Sequence, residues 1–165
     1  GERLGDIVGE GLKVHFPDLS YDERRRRVAE ALAEVGLDPA TMDRYPHEFS
    51  GGQRQRSAVA RAMVLEPKFV MLDEPTSALE MSVQAQIVDL LRDLQKRHGL
   101  AYLFISHDLK VVRALANDVI VLRAGKVVEH GPAQKIFDHP ETDYTKALMA
   151  AAFEIEAAPE GVVAQ

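Results

Sequence analysis

Two adjacent carboxylates, Asp73 and Glu74, are the first candidates for chemistry in this sequence. They directly follow Phe69–Leu72, an apolar run that predicts a short strand buried on both faces, and Pro75 ends that strand because it has no N–H to donate. Ligands of open parallel sheets bind outside the carboxyl ends of the strands. There, a carboxylate can hold Mg²⁺ together with substrate phosphates, and a second carboxylate can act as general base towards a water. The alternative is an acidic turn without a chemical role.

A second candidate is the stretch Ser50, Gly51, Gly52 and Gln53, which opens a predicted helix. Serine is a favoured N-cap, and the N–H groups at a helix start suit a phosphate. Glycine lets the backbone approach a ligand without obstruction by a Cβ atom. Two glycines weaken the first turn of a helix, so a purely structural role would reduce stability without a gain. We therefore favour a phosphate contact over a capped helix without a ligand.

His107 follows a second predicted strand, residues 101–106, and so is expected at the same sheet edge as Asp73 and Glu74. A neutral imidazole at that edge can hydrogen-bond a phosphate oxygen or an attacking water. The other histidines are predicted to be structural: His15, His47, His98, His130 and His139.

The elements that must position these residues predict an α/β fold, with a mostly parallel sheet, flanking helices and an N-terminal helical part. The helix between the two strands makes a strand–helix–strand unit, which should be parallel and right-handed. A hairpin at the sheet edge and C-terminal helices follow, and the tail from Glu154 has no periodicity. The predicted helices lie near 4–14, 21–35, 50–65, 81–97, 109–117, 133–137 and 142–153, with a further short helix that starts at Asp38-Pro39. The predicted strands are 69–72, 101–106, 119–123 and 126–130.

The composition is that of a globular domain with a substantial core: 165 residues, 46% hydrophobic and 28% charged. The net charge of −6 argues against a protein that binds nucleic acid by general electrostatic attraction. Because the sequence has no cysteine, disulfides and thiolate metal sites are excluded. No apolar run approaches the roughly 20 residues that a membrane-spanning helix needs.

Three motifs, in this order and spacing, resemble the ATP-binding subunit of an ABC transporter. They are S-G-G-Q at 50–53, V-M-L-D-E-P-T-S-A-L at 70–79 and F-I-S-H-D at 104–108. The combination is specific, and the resemblance covers nearly the whole chain. The stretches F-S-G-G-Q-R-Q-R and D-Y-T-K-A-L-M-A-A-A-F are most similar to the peptide-import branch, which includes dipeptide, oligopeptide, nickel and microcin C-type importers.

The resemblance implies roles for the three ionisable candidates. Asp73 matches the Walker B carboxylate that positions Mg²⁺, and Glu74 matches the general base for the attacking water. His107 matches the switch histidine that senses the γ-phosphate. ATP and Mg²⁺ are therefore the implied cofactors.

The resemblance also assigns two contacts across a dimer. Ser50–Gln53 match the signature motif, which in this family contacts the γ-phosphate of ATP held by the opposite subunit. Ser77–Glu80 match the D-loop, which crosses the dimer interface. The family usually has aspartate where this sequence has Glu80, and the extra methylene alters the fine geometry of that contact.

The implied partners are a second ATP-binding subunit or domain in a head-to-tail dimer and transmembrane permease subunits, without nucleic acid. Residues 4–45 are the expected docking side for the permease. The parent protein is expected to hydrolyse ATP in order to energise the import of peptides or similar solutes. It is expected in the cytoplasm, peripheral on the inner face of the cell membrane.

The phosphate-cradling motif G-x-x-x-x-G-K-[ST] does not occur in these residues. The chain is thus expected to be the C-terminal half of a nucleotide-binding domain and to be inactive alone. We predict a helical subdomain at 1–49, the signature helix and Walker B half at 50–131, C-terminal helices at 132–153 and a tail at 154–165. Two alternatives remain open: an ABC-type ATPase of DNA repair or translation, and a natural non-catalytic module that binds a partner.

Overall fold

A computed structural model describes residues 1–154 of the chain, and its fold is α/β, as predicted. The helices are α1 Leu4–His15, α2 Tyr21–Glu34, α3 Gly51–Met63, α4 Met81–His98, α5 Leu109–Leu115, α6 Ala133–Asp138 and α7 Asp143–Met149. The strands are β1 Phe69–Asp73, β2 Ala101–Ile105, β3 Asp118–Arg123 and β4 Lys126–Pro132. Short 3₁₀ turns lie at Pro39–Asp43 and Pro46–Glu48, and a π-helical turn lies at Ala150–Glu154.

The chain divides into two compact units, Gly1–Ile105 and Ser106–Gln165. The functional division predicted from the sequence, at 49/50 and 131/132, stays a prediction. The predicted tail lies outside the described residues from position 155 onwards. Within the described part of the chain, no helix is long and apolar enough to cross a membrane.

The first unit begins with three helices, of which α1 contacts both α2 and α3. Leu4, Val8 and Leu12 of α1 are buried because they recur on one helical face. Gly9 allows a close approach of α2, since a Cβ atom at this position would lie 3.0 Å from Cγ2 of Val28. The N-terminal part of the chain is therefore a packed helical layer, as its sequence predicts.

The second layer of the first unit is the parallel pair of β1 and β2, with α4 between them in sequence. The register pairs Val70 with Tyr102 and Asp73 with Ile105. The Tyr102 hydroxyl donates a 2.8 Å hydrogen bond to the carbonyl of Leu91 on α4, so this face of the sheet lies towards the helix. Burial raises the pKa of Tyr102 to about 12, and the hydroxyl therefore stays protonated as a donor at neutral pH.

The prediction that β1 is buried on both faces is wrong. Phe69, Met71, Leu103 and Ile105 share the face opposite α4, and they are between 45% and 61% exposed. Parallel sheets are ordinarily covered on both faces, which is why their strands are apolar throughout. The sequence of β1 is suited to a strand with packed elements on both faces, and in the described residues only the face towards α4 is covered.

The second unit is built on a hairpin in which β3 and β4 pair antiparallel. Among the described residues this pair is a two-stranded sheet of its own, so the prediction of a hairpin at the edge of the parallel sheet is wrong. Arg123 pairs with Lys126, so the loop contains only Ala124 and Gly125, as predicted. Both loop residues have positive φ, 48° and 75°, which matches a type I′ turn and the twist of the strands that it joins. A bulge between Val121 and Leu122 shifts the register.

Glu129 on β4 connects this hairpin to the C-terminal helices. Its carboxylate is buried and accepts hydrogen bonds from the backbone N–H groups of Glu141 and Thr142, each at 2.9 Å, and from the Thr142 hydroxyl at 2.9 Å. Thr142 in turn caps α7 by accepting from the N–H of Thr145. These bonds favour the ionised carboxylate and lower the pKa of Glu129 from its ordinary value of 4.5 to about 2.

We predict that Glu129→Gln destabilises the chain at pH 7 by about 1–3 kcal/mol, because an amide has one acceptor oxygen and leaves a buried N–H unpaired. Because the folded pKa of Glu129 is lowered, its stabilisation is present at neutral pH and is lost as pH falls from 4.5 towards about 2. Urea unfolding by circular dichroism at several pH values measures both effects. The control is Glu141→Gln, which removes an exposed ion pair with Lys135 and should change stability by less than about 0.5 kcal/mol. Equal effects of the two changes would contradict the assignment.

Candidate functional site

Asp73 and Glu74 occupy the carboxyl end of β1. Asp73 is the last residue of the strand and is exposed, whereas Glu74 is half-buried. The N–H of Glu74 donates a 2.8 Å hydrogen bond to the carbonyl of Ile105, which extends the pairing with β2 by one residue. The backbone of both carboxylates is therefore fixed at the sheet edge, where ligands of parallel sheets bind.

The turn after these carboxylates has an unusual backbone. Glu74 and Ala78 have φ values of 50° and 60°, in the left-handed region that residues with a Cβ atom rarely adopt. The N–H of Ser77 donates to the carbonyl of Glu74, and Thr76 is fully buried. Gln84 of α4 donates from its amide to the carbonyl of Thr76 at 3.4 Å. The turn is held in one conformation, with the exposed Ser77 and Glu80 on its surface.

The start of α3 is closed by a capping box. The Ser50 hydroxyl accepts from the N–H of Gln53 at 3.2 Å, and the Gln53 side-chain oxygen accepts from the N–H of Ser50 at 3.0 Å. The capping role predicted for Ser50 is confirmed, whereas the reciprocal role of Gln53 was not predicted. The N–H groups of Gly51 and Gly52 precede the intrahelical ladder, and the helix dipole places partial positive charge there.

The two glycines of this turn differ in what surrounds them. A Cβ atom at Gly51 would lie 3.4 Å from Cδ2 of Leu79, an ordinary contact. At Gly52 it would lie 2.7 Å from Cγ1 of Val83, which is too close for any Cβ atom. The argument that a structural role would bring no gain is thus wrong for Gly52, because this glycine allows α3 and α4 to touch.

These contacts bring two predicted site segments together in the first unit. Residues 50–53 and residues 77–80 meet through Gly51 and Leu79. His107 belongs to the second unit, where it is exposed, and it precedes α5 by two residues. Its neighbour Asp108 caps α5 by accepting from the N–H groups of Lys110 and Val111.

The residues present fit a Mg²⁺ ion that is held chiefly by a bound phosphate. Asp73 offers one exposed carboxylate at the sheet edge. Among residues 1–154, no three His, Asp or Glu side chains are grouped so that they could hold a metal without other ligands. Since Mg²⁺ typically uses one or two carboxylates together with substrate phosphates and water, a single well-placed carboxylate suffices.

Sequence reasoning missed Leu79 and Val83 as the residues that face the two glycines. Both are apolar residues beside or within a predicted amphipathic helix, and such residues usually pack into a core. The contact pairs residues 31 positions apart, Gly52 and Val83, and neither residue carries a local pattern that predicts it.

We predict that Ser50→Ala destabilises the chain by about 1 kcal/mol, because the N–H of Gln53 loses its acceptor. Ser50→Asp should retain most of the stability, since aspartate is an equally favoured N-cap. Urea unfolding followed by circular dichroism compares the two variants. If Ser50→Ala and Ser50→Asp unfold at the same urea concentration, the hydroxyl does not stabilise the helix start.

Comparison with known proteins shows which proteins this chain is similar to. Residues 4–77 match the family model described as ABC transporter. The chain is 74% identical over 162 residues to the peptidoglycan transport ATP-binding protein YejF of Agrobacterium fabrum, and the match covers 98% of the chain and 30% of that protein. It is 50% identical over 150 residues to the di/tripeptide transport ATP-binding protein DppF of Pseudomonas aeruginosa, covering 91% of the chain and 46% of that protein. The chain thus spans less than half the length of these curated relatives.

A solved structure shows the same relationship at the level of the fold. The ATP-binding cassette MJ0796, in a dimeric post-hydrolysis state bound to ADP and Pi, matches with a TM-score of 0.70 and 30% identity. The match covers 80% of this chain and 57% of that one. Residues 4–77 therefore belong to an ABC transporter domain, and nearly the whole chain is similar to a part of the ATP-binding proteins of ABC transporters.

Proposed function

We propose that this chain is the signature and Walker B half of an ATP-binding cassette, and that the parent protein hydrolyses ATP to energise the import of peptides or related solutes. The observation that carries the proposal is the packing of residues 77–80 against the start of α3. One compact unit thereby holds a fixed pair of carboxylates, Asp73 and Glu74, and a helix start that suits a phosphate. Those are the two chemical requirements of an ATPase: a site for metal and water, and positive potential for phosphate.

Each site residue has a stated role in this proposal. Asp73 would hold the Mg²⁺ of bound ATP, which supplies charge neutralisation on the phosphate oxygens. Glu74 would accept the proton of the attacking water, and its backbone hydrogen bond to Ile105 holds its main chain at the end of the sheet. His107 would hydrogen-bond the γ-phosphate.

The signature turn acts on a different nucleotide. Ser50–Gln53 would contact the γ-phosphate of ATP held by the opposite subunit, with the N–H groups of Gly51 and Gly52 directed at it. Ser77–Glu80 would cross the interface as the D-loop. A head-to-tail dimer is required, because each subunit supplies only part of each site.

The solute and the location belong to the same proposal. The relatives are named for the transport of peptidoglycan and of di- and tripeptides, which favours a peptide-like solute over a role in DNA repair or translation. Permease subunits would dock on the helical layer formed by residues 4–45. The parent protein would then lie on the cytoplasmic face of the membrane. The carboxylates on β1 favour catalysis over a purely partner-binding module.

The exposed face of β1 and β2 fits a partial cassette. Phe69, Met71, Leu103 and Ile105 are too apolar for a face that stays in water. We expect the part of the parent protein that carries the phosphate-cradling loop to cover this face.

The isolated chain should accordingly show no appreciable ATP turnover, because Asp73 and the metal alone cannot orient the γ-phosphate. Phosphate release and equilibrium ATP binding on the purified chain are the measurements, with the parent protein as positive control. Micromolar ATP affinity combined with turnover would contradict the partial-cassette proposal.

In the parent protein, Glu74→Gln should lower ATP hydrolysis by roughly 10² to 10⁴-fold, because glutamine keeps the size of the side chain but cannot accept a proton. ATP and Mg²⁺ should still bind, so the variant should accumulate as an ATP-bound dimer. Phosphate release and size-exclusion chromatography with ATP and Mg²⁺ measure the two effects.

The matched control is Asp73→Asn, the same chemical change one residue earlier. This variant should weaken the binding of Mg²⁺–ATP itself and should not accumulate as a dimer. Hydrolysis at the parental rate by Glu74→Gln would show that Glu74 is not the base.

A further inference from the structure

The approach of Gly52 to Val83 is the closest that any glycine of the first unit makes to a neighbouring side chain. A Cβ atom at Gly52 would lie 2.7 Å from Cγ1 of Val83, whereas one at Gly51 would have an ordinary contact at 3.4 Å with Leu79. Two adjacent glycines of one motif therefore meet different conditions. Gly51 has room for a methyl group, and Gly52 has none.

The contact lies between the starts of two helices. Gly52 on α3 meets Val83 on α4, and one turn further along both helices Arg56 contacts the side chain of Gln86 at 3.4 Å. The starts of the two helices are therefore neighbours. Arg56 also donates a 2.8 Å hydrogen bond to the carbonyl of Val35 at the end of α2, which connects α3 to α2.

Val83 is suited to limit how closely the start of α3 approaches α4. A valine in a helix is restricted to one strongly preferred χ1 rotamer, so its methyl groups cannot easily turn away. A leucine such as Leu79, with two rotatable bonds, yields more readily. The side chain of Val83 is partly buried and lies three residues beyond Glu80, at the end of residues 77–80.

We propose that Val83 is a positioning residue, which sets the position of the turn 50–53 relative to residues 77–80 through its contact with Gly52. The inference rests on the proposed function, in which both segments face the opposite subunit. A shift of one segment against the other would prevent both from reaching their partners together. Val83 itself touches no substrate, and its effect passes through the backbone of Gly52.

The contact is tested first by stability in the chain itself. Gly51→Ala and Gly52→Ala make the same change at neighbouring positions with the same gain in helix propensity. Gly51→Ala should raise the urea midpoint, and Gly52→Ala should lower it because of the clash. Adding Val83→Ala to Gly52→Ala should restore the midpoint. Equal urea midpoints for the two glycine variants would contradict the claim that this contact constrains α3. A double variant whose midpoint stays as low as that of Gly52→Ala would contradict it as well.

The positioning role is tested in the parent protein with Val83→Ala and the near-isosteric Val83→Thr. Val83→Ala should raise the ATP concentration needed for half-maximal hydrolysis and leave kcat nearly unchanged, because it weakens assembly of the site and not the chemical step. It should also shorten the lifetime of the ATP-bound dimer in a Glu74→Gln background. Val83→Thr, which keeps the branched shape, should behave as the parental protein does.

The outcomes separate the inference from the function on which it rests. Lower stability of Val83→Ala with unchanged KM and unchanged dimer lifetime would leave only a packing role and overturn the proposal. An equal defect in Val83→Thr would do the same. A folded parent protein that neither hydrolyses ATP nor dimerises with it would overturn the proposed function itself, while the urea midpoints would still report on the contact.

Discussion

The parallel pairing of β1 with β2 is the interaction on which the rest of the first unit depends. It fixes where β1 ends, and the additional hydrogen bond from the N–H of Glu74 to the carbonyl of Ile105 also fixes the first residue of the turn. A backbone held on a sheet edge has little freedom to move the two carboxylates apart. The left-handed conformation of Glu74 and Ala78 is tolerated because the buried Thr76 anchors the turn between them. The same contacts therefore fix both the position of the carboxylates and the path of residues 77–80.

Close packing against this turn and the start of α4 also fixes the position of α3. Leu79 and Val83 face the two glycines at the helix start, and Arg56 holds the same helix to Gln86 and to the end of α2. The capping box closes the turn with its own side chains, so the remaining N–H groups can be presented to a ligand without loss of helix stability. Residues whose types suit a phosphate thus also satisfy the fold. The two requirements do not compete here.

Much of this arrangement could be predicted from the sequence, because its signals are local. The two-residue hairpin loop at Ala124 and Gly125, the cap at Ser50 and the parallel β1–α4–β2 unit all follow from neighbouring residues. The exposed face of β1 could not be predicted, since four consecutive apolar residues look the same whether one face or two are covered. The contact of Gly52 with Val83 depends on how two helices cross. For the candidate site, residue types and order indicated which residues matter, and only the coordinates related segment 50–53 to segment 77–80.

The central claim is that the turn 50–53 lies against the terminal phosphate of ATP held by the opposite subunit. An ATP analogue with a photoreactive group on its γ-phosphate tests it most directly, in the parent protein with Mg²⁺, by mass spectrometry of tryptic peptides. We expect the label on the peptide Tyr45–Arg54, which contains the whole turn. The labelling should fall when the protein is diluted below the concentration at which it dimerises, because the contact is made between subunits. Labelling that is absent from this peptide, or that is independent of dimerisation, would contradict the account.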